Sequence, residues 1–438
     1  MFETETLRVL AEALATLEGE FSALPPISTP NADSTGSVLQ EVARRLGDNF
    51  PYFHPLYAGQ MLKPPHPVAR AAYALATWIN PNNHALDGGR ASTAMEREAV
   101  AQIAAMFGCR THLGHLTGGG TMANLEALWV AGRLHPGKKI AASAQSHYTH
   151  RRMSGVLQLP FAEVPADARG RMDCDALEAM LASGEIGCVV ASLGTTATGS
   201  VDPLPAILEL RKKYEFRVHV DGAYGGYFTL ADNLAPETRA AFDAIHQADS
   251  IVIDPHKHGL QPYGCGCVLY SDPSVGALYK HDSPATYFSS RELHLGEISL
   301  ECSRPGASAV ALWATMRLLP LVRGGEFAKG LACCRRAALD FHHRLAADPR
   351  FVTPFSPDLD IIVWAPKTGS AESIFREAAR RNLHLAMARL PGSFFGSSEP
   401  EVPALRSVLM KPEHHDWLER IWDILDQATN AAAKQQFD

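Results

Sequence analysis

An α/β fold with a mostly parallel sheet follows from three features of the sequence. Short apolar runs at residues 139–142, 188–193, 217–220, 250–253 and 267–270 alternate with helical windows at 121–133, 175–182 and 203–214. β-rich runs separated by helices build a parallel sheet layered between helices. The length, 438 residues, gives room for two or three domains at about 150 residues each. The content, 46% hydrophobic and 20% charged, is that of a soluble globular chain and excludes disorder, collagen and coiled coil.

Residues 1–66 read as an N-terminal helical arm. Its first 20 residues place Leu7, Leu10, Leu14 and Leu17 on one helical face, without the basic start and apolar block of a signal peptide. A stretch rich in Pro, Ser, Thr and Asn leads to a second helix at about 38–45. Residues 50–65 hold Pro51, Pro55, Pro64 and Pro65 among aromatics, too irregular for a core element and too aromatic for a plain linker. A large domain is expected over 67–310, opening with helical periodicity at 68–78 and 95–107 and containing the sheet. Residues 311–438 read as a smaller α+β C-terminal domain. From residue 307 on, the expected elements are helices at 307–321 and 326–347, strands at 360–365 and 405–410, and a terminal helix at 415–432.

Composition also narrows the partners. Net charge is −7, so no broadly basic nucleic-acid surface is expected. No apolar run reaches the ~20 residues of a membrane span. The eight cysteines are too sparse for a disulfide scaffold and include no CxxC pair, so neither a zinc site nor another metal is expected. A reducing cytoplasm is the expected compartment.

Parallel sheets bind ligands beyond the C-terminal ends of their strands. Three stretches carry chemistry, two of them at such ends. In residues 251–260, Lys257 follows an apolar run and stands between His256 and His258. A strand-end lysine among cationic groups suits bond formation with an aldehyde, although it is also compatible with a solvated loop. In residues 219–227, Asp221 ends another run and small residues follow, so a flat group has close access to the backbone. An acid there can hold a ring nitrogen protonated, or cap a helix. In residues 111–129, Gly118, Gly119, Gly120 and Thr121 precede a helix whose free N–H groups form an anion site. The stretch lacks both the GKS/GKT end of a nucleotide loop and the spacing of a dinucleotide fingerprint. A phosphate cradle, an acid and a lysine are the three groups that pyridoxal 5'-phosphate uses at once.

The motifs TGGGTMAN, SHYTH, GTTATGSVDPL, HVDGAY, DPHKHG and ECSRPG occur in this order. On them, from about residue 54 to 321, the sequence resembles the group II pyridoxal-phosphate-dependent decarboxylases of the aspartate aminotransferase fold type I. That family includes glutamate, aromatic amino acid and archaeal tyrosine decarboxylases, with sphingosine-phosphate lyases as near relatives.

The resemblance implies that Lys257 carries the cofactor and that His256, Gly120 and Thr121 contact its phosphate. Asp221 would pair with the pyridine nitrogen, Ala223 would pack under the ring, and His147 would stack on its face unless it is a polar loop residue. Thr196 would lie near a cofactor oxygen or the substrate carboxylate. Ser303 would reach the phosphate of a neighbouring subunit, which makes the active site shared within a homodimer. His54 and Tyr57 would face the substrate or anchor the arm, and His84 would lie near the pocket across the interface. Tyr287 would protonate the substrate carbon after carbon dioxide leaves, with His147 and His294 as rivals.

The implied activity is decarboxylation of an L-amino acid to its amine. The alternatives are a carbon–carbon lyase, an aldehyde synthase or an inert binding scaffold. Intact Lys257, Asp221 and His147 speak against the last.

Overall fold

The computed structural model describes residues 4–25, 35–280 and 293–434. Two arm helices, α1 (Glu5–Glu20) and α2 (Thr35–Leu46), precede α3 (Pro67–Thr77) and α4 (Arg90–Met106). Alternating elements follow: β1 (Leu113–Thr117), α5 (Gly120–Leu134), β2 (Lys139–Ser143), α6 (Thr149–Val156), β3 (Phe161–Val164), α7 (Cys174–Leu181) and β4 (Ile186–Ser192). Next come α8 (Leu204–Leu210), β5 (Arg217–Asp221), α9 (Pro236–Asp243), β6 (Ser250–Ile253) and β7 (Gly266–Tyr270). The remainder is α10 (Gly306–Leu318), α11 (Glu326–Ala347), β8 (Phe351–Val352), β9 (Ile361–Pro366), α12 (Ala371–Arg380), β10 (Ala386–Pro391), β11 (Glu401–Val408) and α13 (His414–Lys434). Of these, β1, α6, β3, α9, β8, α12 and β10 lie outside the elements expected from sequence. No helix among the described residues is long and apolar enough to cross a membrane.

The first seven strands form one sheet in the order β1-β7-β6-β5-β4-β2-β3. Strands β2 to β6 run parallel, and β7 is antiparallel to its neighbours β1 and β6. Every residue of β4, β6 and β7 is buried, as a sheet covered on both faces requires. Alternate residues serve opposite faces. Val189 and Ala191 of β4 pack with Ile103 of α4 and Ile207 of α8, whereas Cys188 and Val190 pack with Leu128 and Ala131 of α5.

The last four strands form an antiparallel sheet, β10-β11-β9-β8. Phe341, Trp364, Ile374 and Ile421 fill its core. The aromatic segment before α3 lies along this sheet, where Tyr57 bridges His384 and the Ala58 N–H donates to the His384 carbonyl at 2.8 Å. The two sheets share one core, because Leu331, Leu359, Ile361, Val408 and Met410 pack in the same cluster as Val189 and Val218. The expected boundary at residue 310 falls inside α10, which packs on α3 and α4. In the arm, α1 packs on α3 with Leu10, Leu14 and Leu17 partly covered, while Leu7 stays 65% exposed.

The turn after β5 shows why its glycines are needed. A Cβ on Gly225 would stand 2.0 Å from the Leu193 carbonyl oxygen at the end of β4. At this position the small residue makes room for a neighbouring strand end, not for a ligand. Gly225→Ala must therefore move backbone, and is expected to cost about 2–3 kcal/mol. Urea unfolding measures this, and an unchanged midpoint would contradict the packing.

Candidate active site

The C-terminal ends of β2, β4, β5 and β6 and the N-terminus of α5 meet around a cavity of about 580 Å³. Gly120 and Thr121 line it from the start of α5, His147 from the turn after β2 and Thr196 from the loop after β4. Asp221 and Ala223 enter at the end of β5, and His256 and Lys257 after β6. His147 and Lys257, 110 positions apart in the chain, thus share one wall, because β2, β4, β5 and β6 stand side by side in the sheet.

The Lys257 Nζ lies 3.0 Å from Asp254 Oδ2. The histidines on either side turn away from it. His256 Nδ1 donates to the Cys265 carbonyl at 2.8 Å, and His258 Nε2 lies 3.2 Å from Asp360. The expectation of a lysine among cations is corrected: its nearest charged partner is a carboxylate.

Asp221 is bonded on both oxygens. Oδ1 accepts the Ala223 N–H at 3.0 Å, as a turn cap does, while Oδ2 lies 2.7 Å from His150 Nε2 and 3.4 Å from Asn124 Nδ2. Burial alone would raise its pKa. The bond and charge of His150, then Lys257 and the Ala223 amide, outweigh burial and hold the carboxyl well below the usual range. The His147 pKa is pushed down by burial, with Asp221 pulling the other way. His147 Nδ1 accepts the Thr149 N–H at 3.2 Å, so the neutral ring carries its proton on Nε2.

Other expected site residues stand elsewhere. His54 packs edge-on against Trp417 with ring centres 4.8 Å apart, and the Tyr57 carbonyl accepts from Lys411 Nζ at 2.7 Å. Both contacts are with the chain after β11, and neither residue lines this chain's cavity. His84 is buried against Gly296, and its N–H donates to Asn82 Oδ1 at 3.0 Å. Ser303 Oγ accepts from Asn82 Nδ2 at 3.1 Å, outside this chain's own cavity. His294 Nδ1 accepts the Leu86 N–H at 3.0 Å, away from the lining. Tyr287 lies outside the described residues.

Sequence reasoning missed Asp254, His150, Asn124 and Glu301, which accepts the Gly118 N–H at 3.0 Å. A faint signal existed for two of them. Asp254 precedes Lys257 by one helical turn, and His150 follows His147 by the same interval. Among the described residues, no group of three His, Cys, Asp or Glu side chains is arranged to hold a metal ion.

Residues 132–365, more than half of the chain, match the family model for the pyridoxal-dependent decarboxylase conserved domain. The chain belongs to the pyridoxal-dependent decarboxylase family. A probable L-tyrosine/L-aspartate decarboxylase of Methanopyrus kandleri is 26% identical over 352 residues, spanning 76% of this chain and 88% of that protein. The L-tyrosine decarboxylase of Enterococcus faecium is 29% identical over 399 residues, spanning 68% of this chain and 65% of that protein. In structure, the Oryza sativa TDC solved with PLP and tryptamine matches with a TM-score of 0.79 at 17% identity, over 98% of this chain and 99% of that one. The fold is therefore fold type I, and this member of the decarboxylase family is a carboxy-lyase with pyridoxal phosphate as cofactor.

The cavity fits that cofactor. Thr149 Oγ1, Ser192 Oγ and Asp254 Oδ1 are buried on its wall without a hydrogen-bond partner among the described residues, and a polar ligand would satisfy them. Asp221→Asn keeps size and hydrogen-bonding capacity but removes the charge. It is expected to retain cofactor and to lower turnover by ~100-fold, the usual cost of losing one well-placed electrostatic group. Steady-state kinetics on the loaded variant decides this, and parental turnover would reduce Asp221 to a turn cap.

Proposed function

We propose that the protein decarboxylates an L-amino acid, releasing carbon dioxide and the corresponding amine. The observation that carries this reading is the meeting of Lys257, Asp221, His147 and the α5 N-terminus in one cavity. When bound, pyridoxal phosphate supplies an aldehyde that bonds a primary amine and a pyridine ring that accepts electrons. Lys257 would hold it through its amine. The N–H groups at the start of α5, with His256, would take the phosphate. Asp221 would hold a proton at the ring nitrogen, and Ala223 leaves space beside it for a flat ring. Thr196, exposed on the rim, would meet a cofactor oxygen or the substrate carboxylate.

Of the two rival proton donors within the described residues, His147 lines the cavity and His294 does not. His147 is the better candidate to give a proton to the substrate carbon through Nε2. The names of the relatives put tyrosine and aspartate first among the amino acids to try.

The site is further proposed to be shared within a homodimer. Ser303 is exposed outside its own cavity, and Trp78 and Ile79 are 61% and 51% exposed. Light scattering should give a dimer, and a fully active monomer at low concentration would refute it.

The activity is tested by offering amino acids to the purified, cofactor-loaded protein and measuring carbon dioxide and amine. Equal yields of both are expected from at least one amino acid. In Lys257→Ala the activity should vanish, together with the absorbance near roughly 420 nm that a lysine-bound cofactor gives, while the fold persists. An aldehyde, or cleavage without carbon dioxide, would point instead to the aldehyde synthase or lyase reading.

A further inference from the structure

Five side chains form a buried chain that ends on Asp221. His150, in the first turn of α6, is fully buried, and its Nε2 lies 2.7 Å from Asp221 Oδ2. A carboxylate only accepts, so Nε2 carries the hydrogen. Asn124 of α5 reaches the same oxygen through Nδ2 at 3.4 Å. Its amide orientation is set from behind, because Asn124 Oδ1 lies 2.8 Å from His219 Nε2. Burial, then the charge of His150, pushes His219 down to about 3, so its ring is neutral near pH 7. With its one hydrogen on Nε2, Nδ1 is bare and accepts from Ser250 Oγ at 2.9 Å. Every hydrogen in this chain therefore points toward Asp221.

The acceptor count on Asp221 then has a consequence. A carboxylate offers about four lone-pair positions, two on each oxygen. Oδ2 receives His150 and Asn124, and Oδ1 receives the Ala223 N–H. One position is left, on Oδ1. His150 Nδ1, meanwhile, is buried with no partner among the described residues. The polar chemistry of the ring is thus directed at Asp221 alone, and a role in packing only would be met by phenylalanine.

We propose that His150 is a positioning residue: with Asn124 it fixes Asp221 so that the remaining acceptor position on Oδ1 meets the ring nitrogen of the cofactor. The inference rests on the reading of Asp221 as partner of that nitrogen. Without His150, Oδ2 loses its shortest bond and the carboxylate is free to turn.

The test compares two ligands on the full-length protein stripped of cofactor. One is pyridoxal phosphate, and the other is its 1-deaza analogue, in which a C–H replaces the ring nitrogen. The parent should bind pyridoxal phosphate more tightly than the analogue. His150→Phe should weaken pyridoxal phosphate about tenfold or more, as expected for a bond to a charged group, and leave the analogue within about twofold, since it has no ring nitrogen to meet Oδ1. His150→Gln, which restores a donor, should recover most of the loss. Should His150→Phe not fold, His150→Met gives the same comparison.

Equal weakening of both ligands would mean a structural role and overturn the inference, as would unchanged binding of pyridoxal phosphate. A parent that binds both ligands equally would overturn the reading of Asp221 as well. Binding as expected without carbon dioxide release from any amino acid would uphold the role of His150 and sink only the proposed reaction.

Discussion

The register of three parallel strands carries the site. Ser192, Asp221 and Val252 stand abreast on β4, β5 and β6. A slip of one residue in β5 would turn Asp221 to the opposite face of the sheet. Both faces resist it. Val218 and Val220 are buried in the larger core, while His219 and Asp221 face partners on α5 and α6. Exchanging the faces would leave two polar side chains in an apolar core and two valines against polar partners. Asp202 fixes where β4 ends: its two oxygens accept the Met172 and Ser192 N–H groups at 2.7 Å each, and burial raises it to about 7.

What the sequence discloses about the fold depends on how uniformly each element is apolar. The runs that became β2, β4, β5, β6 and β7 are visible because they are buried on both sides and need little else. β1 is hidden because two of its five residues are Gly114 and His115. Gly114 is required since a Cβ there would meet Leu269 and the Val268 carbonyl at 2.6 and 2.7 Å, and His115 is buried against Glu126 at 3.1 Å. α6 is hidden for a related reason. Its polar start, Thr149 and His150, is buried and faces the site, so no apolar stripe marks it.

The site divides in the same way. Gly120, Asp221 and Lys257 are legible because each residue type suits one task at a strand end or helix start. Their partners are not, since His150 and Asn124 stand 71 and 97 positions from Asp221 and meet it only through the order of the strands. The aromatic segment at residues 50–65 is ambiguous for a further reason. His54 and Tyr57 suit a pocket or an anchor equally well in sequence, and nothing in the sequence announces that His54 meets Trp417 of α13 or that the Tyr57 carbonyl meets Lys411.

The core that runs from Val189 and Val218 to Leu359, Val408 and Met410 also governs how the molecule comes apart. A hinge between two bodies needs an interface whose opening exposes little apolar surface. Here the seam is itself core, so parting the sheets would cost much of what unfolding costs. Gly194, between the end of β4 and Leu359 just before β9, sits on that seam at the cavity wall. The cavity therefore inherits the rigidity of the whole cooperative unit, and slow local opening, seen by hydrogen exchange, belongs at its rim and in the arm rather than across its floor.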